Sequence, residues 1–134
     1  MSLDLNLKIL VVDDMETMQK IVASHLMQIG FKEENIERAK DGLQAIKVML
    51  EAYKEQNPFH LIVCDWNMPG LTGLEFLKKI RAAKHTARLP FLMVTSETQK
   101  DMIKLAFDAG VDEYITKPIS TDELREKIEN IFII

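Results

Sequence analysis

Short apolar runs alternate with amphipathic stretches along the whole chain. Lys8 to Val12, Asn35 to Ala39, Leu61 to Cys64, Phe91 to Val94 and Glu113 to Thr116 read as strands; Asn35 to Ala39 is the weakest, with Ile36 its apolar anchor. The stronger runs are continuous rather than alternating, which suits a sheet buried on both faces. Between them apolar residues recur at helical spacing: Met18, Ile21, Val22, His25, Leu26 and Ile29, then Ala45, Ile46, Met49, Leu50 and Tyr53. A third helix is predicted over Gly73 to Arg81 with Leu74, Leu77 and Ile80 inward, and a fourth on Met102, Ile103, Ala106 and Ala109, closed by Gly110. Leu124, Ile128, Ile131 and Phe132 give the last, and Ser120 with Glu123 three residues on reads as a capping box at its start. Strands beginning near residues 8, 35, 61, 90 and 113 leave roughly 25 residues per unit, enough for a strand and a crossover helix. The fold class is therefore α/β, a five-stranded parallel sheet doubly wound with helices on both faces.

Composition changes little in that picture. The 134 residues are 47% hydrophobic and 28% charged, the balance of one domain with a real core. A net charge of −4 argues against direct nucleic-acid binding. No apolar run is long enough for membrane insertion, and the start lacks the plan of a signal peptide. The single cysteine, Cys64, excludes an internal disulfide and fits a reduced, cytoplasmic setting. Without a second cysteine or spaced histidines a zinc site is disfavoured. Where a nucleotide binder would have a glycine-rich loop, this chain has Asp13-Asp14-Met15.

The chemistry gathers at strand ends. Asp13, Asp14, Asp65, Thr95 and Lys117 each follow or end an apolar run, so a parallel sheet brings them to one edge, where open α/β sheets bind ligands. Asn67, Pro69 and Gly70 turn the backbone just beyond Asp65. Three carboxylates in one cleft repel, and without a cation at least one tends to hold a proton. A hard divalent ion such as Mg²⁺ relieves this, and Lys117 and the Thr95 hydroxyl leave room for an anionic oxygen ligand, which suits phosphoryl transfer. Each residue also has a plain reading: Asp13, with Glu16 three residues on, as a helix cap; Asp65 as a turn residue; Thr95 as a helix start; Lys117-Pro118 as a loop. Their convergence outweighs those readings together.

The set Val11-Val12-Asp13-Asp14, Asp65-Trp66-Asn67-Met68-Pro69-Gly70, Val94-Thr95-Ser96 and Lys117-Pro118 resembles the receiver domain of two-component response regulators, and most of all its single-domain chemotaxis (CheY-like) members. The resemblance implies strand order 2-1-3-4-5 and a receiver over residues 8–132, with 1–7 an extension and 133–134 an end, the apolar terminus suggesting either a domain cut from a longer regulator or a self-association surface. It implies that Asp65 accepts a phosphoryl group from a sensor histidine kinase. Mg²⁺, or Mn²⁺ in its place, would bind Asp14, Asp65 and the Asn67 main-chain carbonyl, with Asp13 acting through a water. Lys117, in a cis bond to Pro118, and Thr95 would contact the phosphoryl group, Tyr114 would turn inward, and Asn67 and Glu97 would tune hydrolysis. The fourth helix, fifth strand and fifth helix would bind the downstream protein, and a phosphatase partner is possible. Such a domain is a signalling switch rather than an enzyme. Ile119, Gln99 and Ser96 depart from the common pattern. The alternatives are a receiver excised from a transcriptional or enzymatic regulator, a metal-dependent phosphatase using the same aspartates, and a receiver-like module that binds partners without phosphorylation.

Overall fold

The computed structural model describes residues 2–133. In chain order they form β1 (Ile9–Val12), α1 (Glu16–Ile29), a 3-10 turn (Glu33–Asn35), β2 (Ile36–Ala39), α2 (Gly42–Lys54), β3 (Leu61–Cys64), α3 (Gly73–Ala82), β4 (Phe91–Thr95), α4 (Lys100–Asp108), β5 (Glu113–Thr116) and α5 (Thr121–Phe132). All four ladders are parallel and the order is β2-β1-β3-β4-β5. The chain steps from β1 to one side for β2 and then to the other for β3. That reversal opens a crevice at the carboxyl ends of β1 and β3, the place such sheets use for ligands.

Side chains alternate across the pleat, so one sheet supports two cores. Leu10, Val12, Ile62, Cys64, Phe91 and Met93 meet Phe76, Leu77 and Ile80 of α3 on one face. Ile9, Val11, Leu61, Val63, Leu92 and Val94 meet Val22 and Leu26 of α1 and Leu124 and Ile128 of α5 on the other. The last helix ends half-buried: Ile131 and Phe132 pack on this second core, so through Phe132 the apolar terminus is core-packed rather than an open patch. Leu3 packs there as well, and Leu7 is buried. What was expected of Met1 and Ile134 lies outside the described residues.

Several local details differ from the sequence reading. Met15, not an aspartate, occupies the cap position of α1, and Asp13 Oδ1 accepts from the Met15 N–H at 2.9 Å. The full capping box belongs to α3, where Thr72 Oγ1 accepts from Glu75 N–H and Glu75 Oε1 accepts from Thr72 N–H. It contributes about 1 kcal/mol and anchors the helix that follows the Asp65 loop. At α5 only the forward bond is made, Glu123 N–H to Ser120 Oγ. Ile21, Leu50 and Tyr53 are exposed rather than inward. In α2 the buried line runs through Ala45 and Ala52, whose small side chains let the helix lie close to the sheet. At 100° per residue Leu50 stands about 140° round from Ala45.

Candidate functional site

The strand ends are aligned by the ladder. Val12 pairs with Cys64 and Thr95 with Thr116, and three main-chain bonds extend the pairing one residue further: Asp65 N–H to Val12 O, Asp13 N–H to Ala39 O and Lys117 N–H to Thr95 O. The side chains beyond those positions therefore converge. Asp13, Asp14 and Asp65 each offer an oxygen within 4.8 Å of the others. Lys117 Nζ lies 3.3 Å from Asp13 Oδ2 and 3.4 Å from Asp65 Oδ2. Asp13, Asp65 and Thr95 are buried and Asp14 is exposed. The peptide bond between Lys117 and Pro118 is cis.

Each buried carboxylate has one oxygen tied to the main chain: Asp13 Oδ1 to Met15 N–H, and Asp65 Oδ1 to Trp66 N–H at 2.7 Å. Asp13 and Asp65 then share one ammonium group, with the exposed Asp14 carboxylate beside them. Burial pushes the Asp13 carboxyl above its usual range, helped by the Asp65 charge and opposed by the Met15 N–H and by Lys117. The donor set is all oxygen and under-neutralised, which fits a hard divalent cation. A soft metal finds no thiolate: burial, with the Asp65 and Asp13 charges, holds the Cys64 thiol protonated, and its Sγ–H donates to Asp65 O.

The raised Asp13 carboxyl has a consequence for stability. The folded chain binds that proton more tightly than the unfolded chain. Its stabilising share is full below the unfolded carboxylate range and lost as pH rises through the folded value. Asp13→Asn is therefore expected to raise the metal-free Tm at pH 7 by a few degrees, with the gain gone near pH 3. Calorimetry across that range checks it, and a lower Tm at pH 7 would contradict the electrostatic reading.

Around this cluster Thr95 Oγ1 accepts from Glu97 N–H at 3.2 Å, which leaves its hydroxyl proton available. Tyr114 is buried on β5, and its hydroxyl donates to Glu97 O at 2.9 Å. Burial, then the Glu97 and Asp65 charges, pushes that phenol up to about 12. Glu97 is turned to its own loop, accepting from Gln99 N–H, and Asn67 lies exposed in the bend after Asp65.

Two residues here were not singled out from sequence. Gln19 is buried in α1, and its Nε2 donates to Asp13 O at 2.8 Å and Ala39 O at 3.2 Å, tying the aspartate loop to the end of β2. Its spacing from Val22 and Leu26, three and seven residues, was the available signal. Gly73 opens α3 directly against the Asp65–Trp66 backbone: its N–H donates to Trp66 O, and an added Cβ would lie 2.2 Å from Asp65 O. A glycine after a capping threonine hints at such an approach, but only the backbone trace reveals it.

The sequence model described as "Response regulator receiver domain" matches residues 9–129. Chemotaxis protein CheY-3 of Vibrio cholerae is 42% identical over 130 residues, covering 97% of this chain and 95% of that protein. Chemotaxis protein CheY of Pseudomonas aeruginosa is 42% identical over 126 residues, 94% and 96% of the two chains. Among solved structures, Vibrio cholerae CheY4 superposes with a TM-score of 0.79 at 29% identity, over 95% of this chain and 99% of its own. The fold is shared also by the Borrelia burgdorferi CheX–CheY–BeF3–Mg complex, with a TM-score of 0.82 at 21% identity, over 94% and 89%.

Proposed function

Because this chain belongs to the response regulator receiver family, and within it to the CheY type of chemotaxis regulators, we propose that Asp65 is its phosphoacceptor and that Asp13, Asp14 and Lys117 equip it for phosphoryl transfer. One observation carries the reading: three carboxylates converge within 4.8 Å of one another beneath a single lysine at the switch point of the sheet.

Asp65 Oδ1 is held by the Trp66 N–H, so Oδ2 is the oxygen left to attack. It displaces the imidazole of a phosphohistidine on the kinase: the P–N bond breaks, a P–O bond to Asp65 forms, and the histidine leaves. Mg²⁺, or Mn²⁺ in its place, held by Asp14, Asp65 and the Asn67 carbonyl with Asp13 through water, would neutralise charge on the phosphoryl oxygens. Lys117 then passes from the Asp65 carboxylate to a phosphoryl oxygen, and the Thr95 hydroxyl donates to another. Drawing Thr95 toward the site pulls on the Glu97 N–H, and through Glu97 O on the Tyr114 hydroxyl. The switch is thus wired into β5 and the loop before α4.

The downstream protein would bind the face of α4, β5 and α5. Asn67 and Glu97, two residues beyond Asp65 and Thr95, would tune the hydrolysis of the acyl phosphate, and a phosphatase partner would act on the same step. No helix among the described residues is long and apolar enough to cross a membrane. The chain would then act as a signalling domain whose hydrolytic act is the loss of its own phosphoryl group.

Trp66, buried beside Asp65, is the reporter. Mg²⁺ is expected to change its fluorescence saturably, and beryllofluoride to change it again once Mg²⁺ is present. Calorimetry that finds no Mg²⁺ binding, with silence in both titrations, would overturn the proposal.

A further inference from the structure

A second surface runs along α2, from its first turn beside the Asp65 loop to the opposite end of the sheet. α2 presents Leu43, Leu50 and Tyr53 to solvent at 70%, 54% and 50% exposure. With half-buried Ile46 they fall at i, i+3, i+7 and i+10, a single stripe with the spacing of a helix–helix seam. The stripe runs into a cavity of about 320 Å³ between α2, α3 and the following loop, floored by Phe59, Ile80 and Leu89. Phe59 and Leu89 precede β3 and β4, so this groove is at the amino-terminal edge, away from the aspartates.

The chain segment that forms its α3 side is basic although the chain is acidic overall. From Phe76 to Ser96 there is no Asp or Glu, but there are Lys78, Lys79, Arg81, Lys84 and Arg88, against a net charge of −4 for the whole chain. Arg81 is spent inside the fold on Gly110 O, Leu89 O and Asp112. The other four make no ion pair among the described residues. Lys79 and His85 line the groove itself, and His85 packs on Tyr53 with ring centroids 4.7 Å apart. On α2 the charges of Lys47 and Lys54 are balanced by Glu51 and Glu55 beside them, whereas on α3 and its loop Glu75 alone stands against Lys78, Lys79, Lys84 and Arg88, so the basic excess belongs there.

We propose that this α2–α3 groove docks an amphipathic helix of another protein, its apolar stripe seated along Leu43, Leu50 and Tyr53 and its flanks acidic. The apolar seam and the basic α3 side match the two halves of such a helix. A second copy of the chain fits less well: a two-fold dimer would set the patch against itself and bring Lys79 and its neighbours face to face. The proposal stands independently of the phosphorylation chemistry.

The test uses a synthetic amphipathic helical peptide with Leu at i, i+3, i+7 and i+10 and Glu on both flanks, titrated into isotopically labelled full chain and followed by NMR. Shifts are expected at residues 43–53 and 79–89. Kd should weaken roughly tenfold when the flanks are Lys, and by a similar factor in Leu50→Asp or when salt is raised to about 0.5 M. Leu50 is exposed, and an unchanged melting curve verifies that the variant is folded. Asp65→Asn should bind the peptide as the native chain does. Equal binding of the Lys-flanked peptide, shifts confined to α4 and α5, or no shift at millimolar peptide would overturn it. So would a concentration-dependent dimer lost in Leu50→Asp, or binding of phosphatidylglycerol vesicles in preference to the peptide.

Discussion

Asp65→Asn is expected to abolish phosphoryl uptake while leaving the fold intact. Asparagine keeps the shape, and its carbonyl oxygen can still accept the Trp66 N–H that Asp65 Oδ1 accepts at 2.7 Å. What it loses is the charge and the second carboxylate oxygen, the one 3.4 Å from Lys117 Nζ. A neutral amide is a poor nucleophile, so incorporation from acetyl phosphate or a phosphorylated kinase should fall by about 10³-fold or more. The response of Trp66 to beryllofluoride should vanish with it. Removing one member of a repelling trio does not favour unfolding, so the metal-free Tm should not drop. Phosphate-affinity electrophoresis and calorimetry read the two halves separately. Uptake that persists in the variant would move the acceptor elsewhere and sink the assignment.

The second large effect falls on a residue with no chemistry of its own. An alanine Cβ at position 73 would stand 2.2 Å from Asp65 O and 2.8 Å from Trp66 Cα, both main-chain atoms that cannot swing aside. The start of α3 or the Asp65 loop must move, and the Gly73 N–H to Trp66 O bond at 2.8 Å goes with it. Overpacking against backbone costs about 3 kcal/mol, a fall in Tm of roughly 10 °C in a domain of this size. Because the displaced atoms belong to Asp65, Mg²⁺ affinity should fall too in the protein that remains folded. Gly70→Ala is the control: Gly70 has φ +76 but nothing within 4 Å of an added Cβ, so it carries backbone strain alone and should cost about 1 kcal/mol. If Gly73→Ala melts within 2 °C of the native chain by the same calorimetry, the close approach does not govern the loop.

Most of the architecture was legible in the chain because it rests on periodicity. Continuous apolar runs at regular intervals can be satisfied only by strands buried on both faces, and the intervening helical spacing supplies the cover. Parallel strands point the same way, so residues at their carboxyl ends must share an edge. That is why Asp13, Asp14, Asp65, Thr95 and Lys117 could be grouped although 104 positions separate Asp13 from Lys117. Strand order was a different matter: the residues alone did not dictate it, and it came with the family resemblance before the ladders displayed it.

Tertiary structure decided whatever depends on distance across the chain. Periodicity says that α2 has an apolar arc but not how near the sheet it lies. Ala45 and Ala52 let it come close, and Leu50 and Tyr53 were left outside. A lone glycine such as Gly73, or a glutamine such as Gln19, reveals its role only when a second backbone arrives beside it. The balance of charge at the aspartates also needed coordinates, since burial rather than residue type is the first cause of the raised Asp13 carboxyl. Local pattern specifies which face a side chain takes, because that follows from a fixed rise and turn per residue. Which atoms it meets depends on how separate segments pack, and that information exists only once they are brought together.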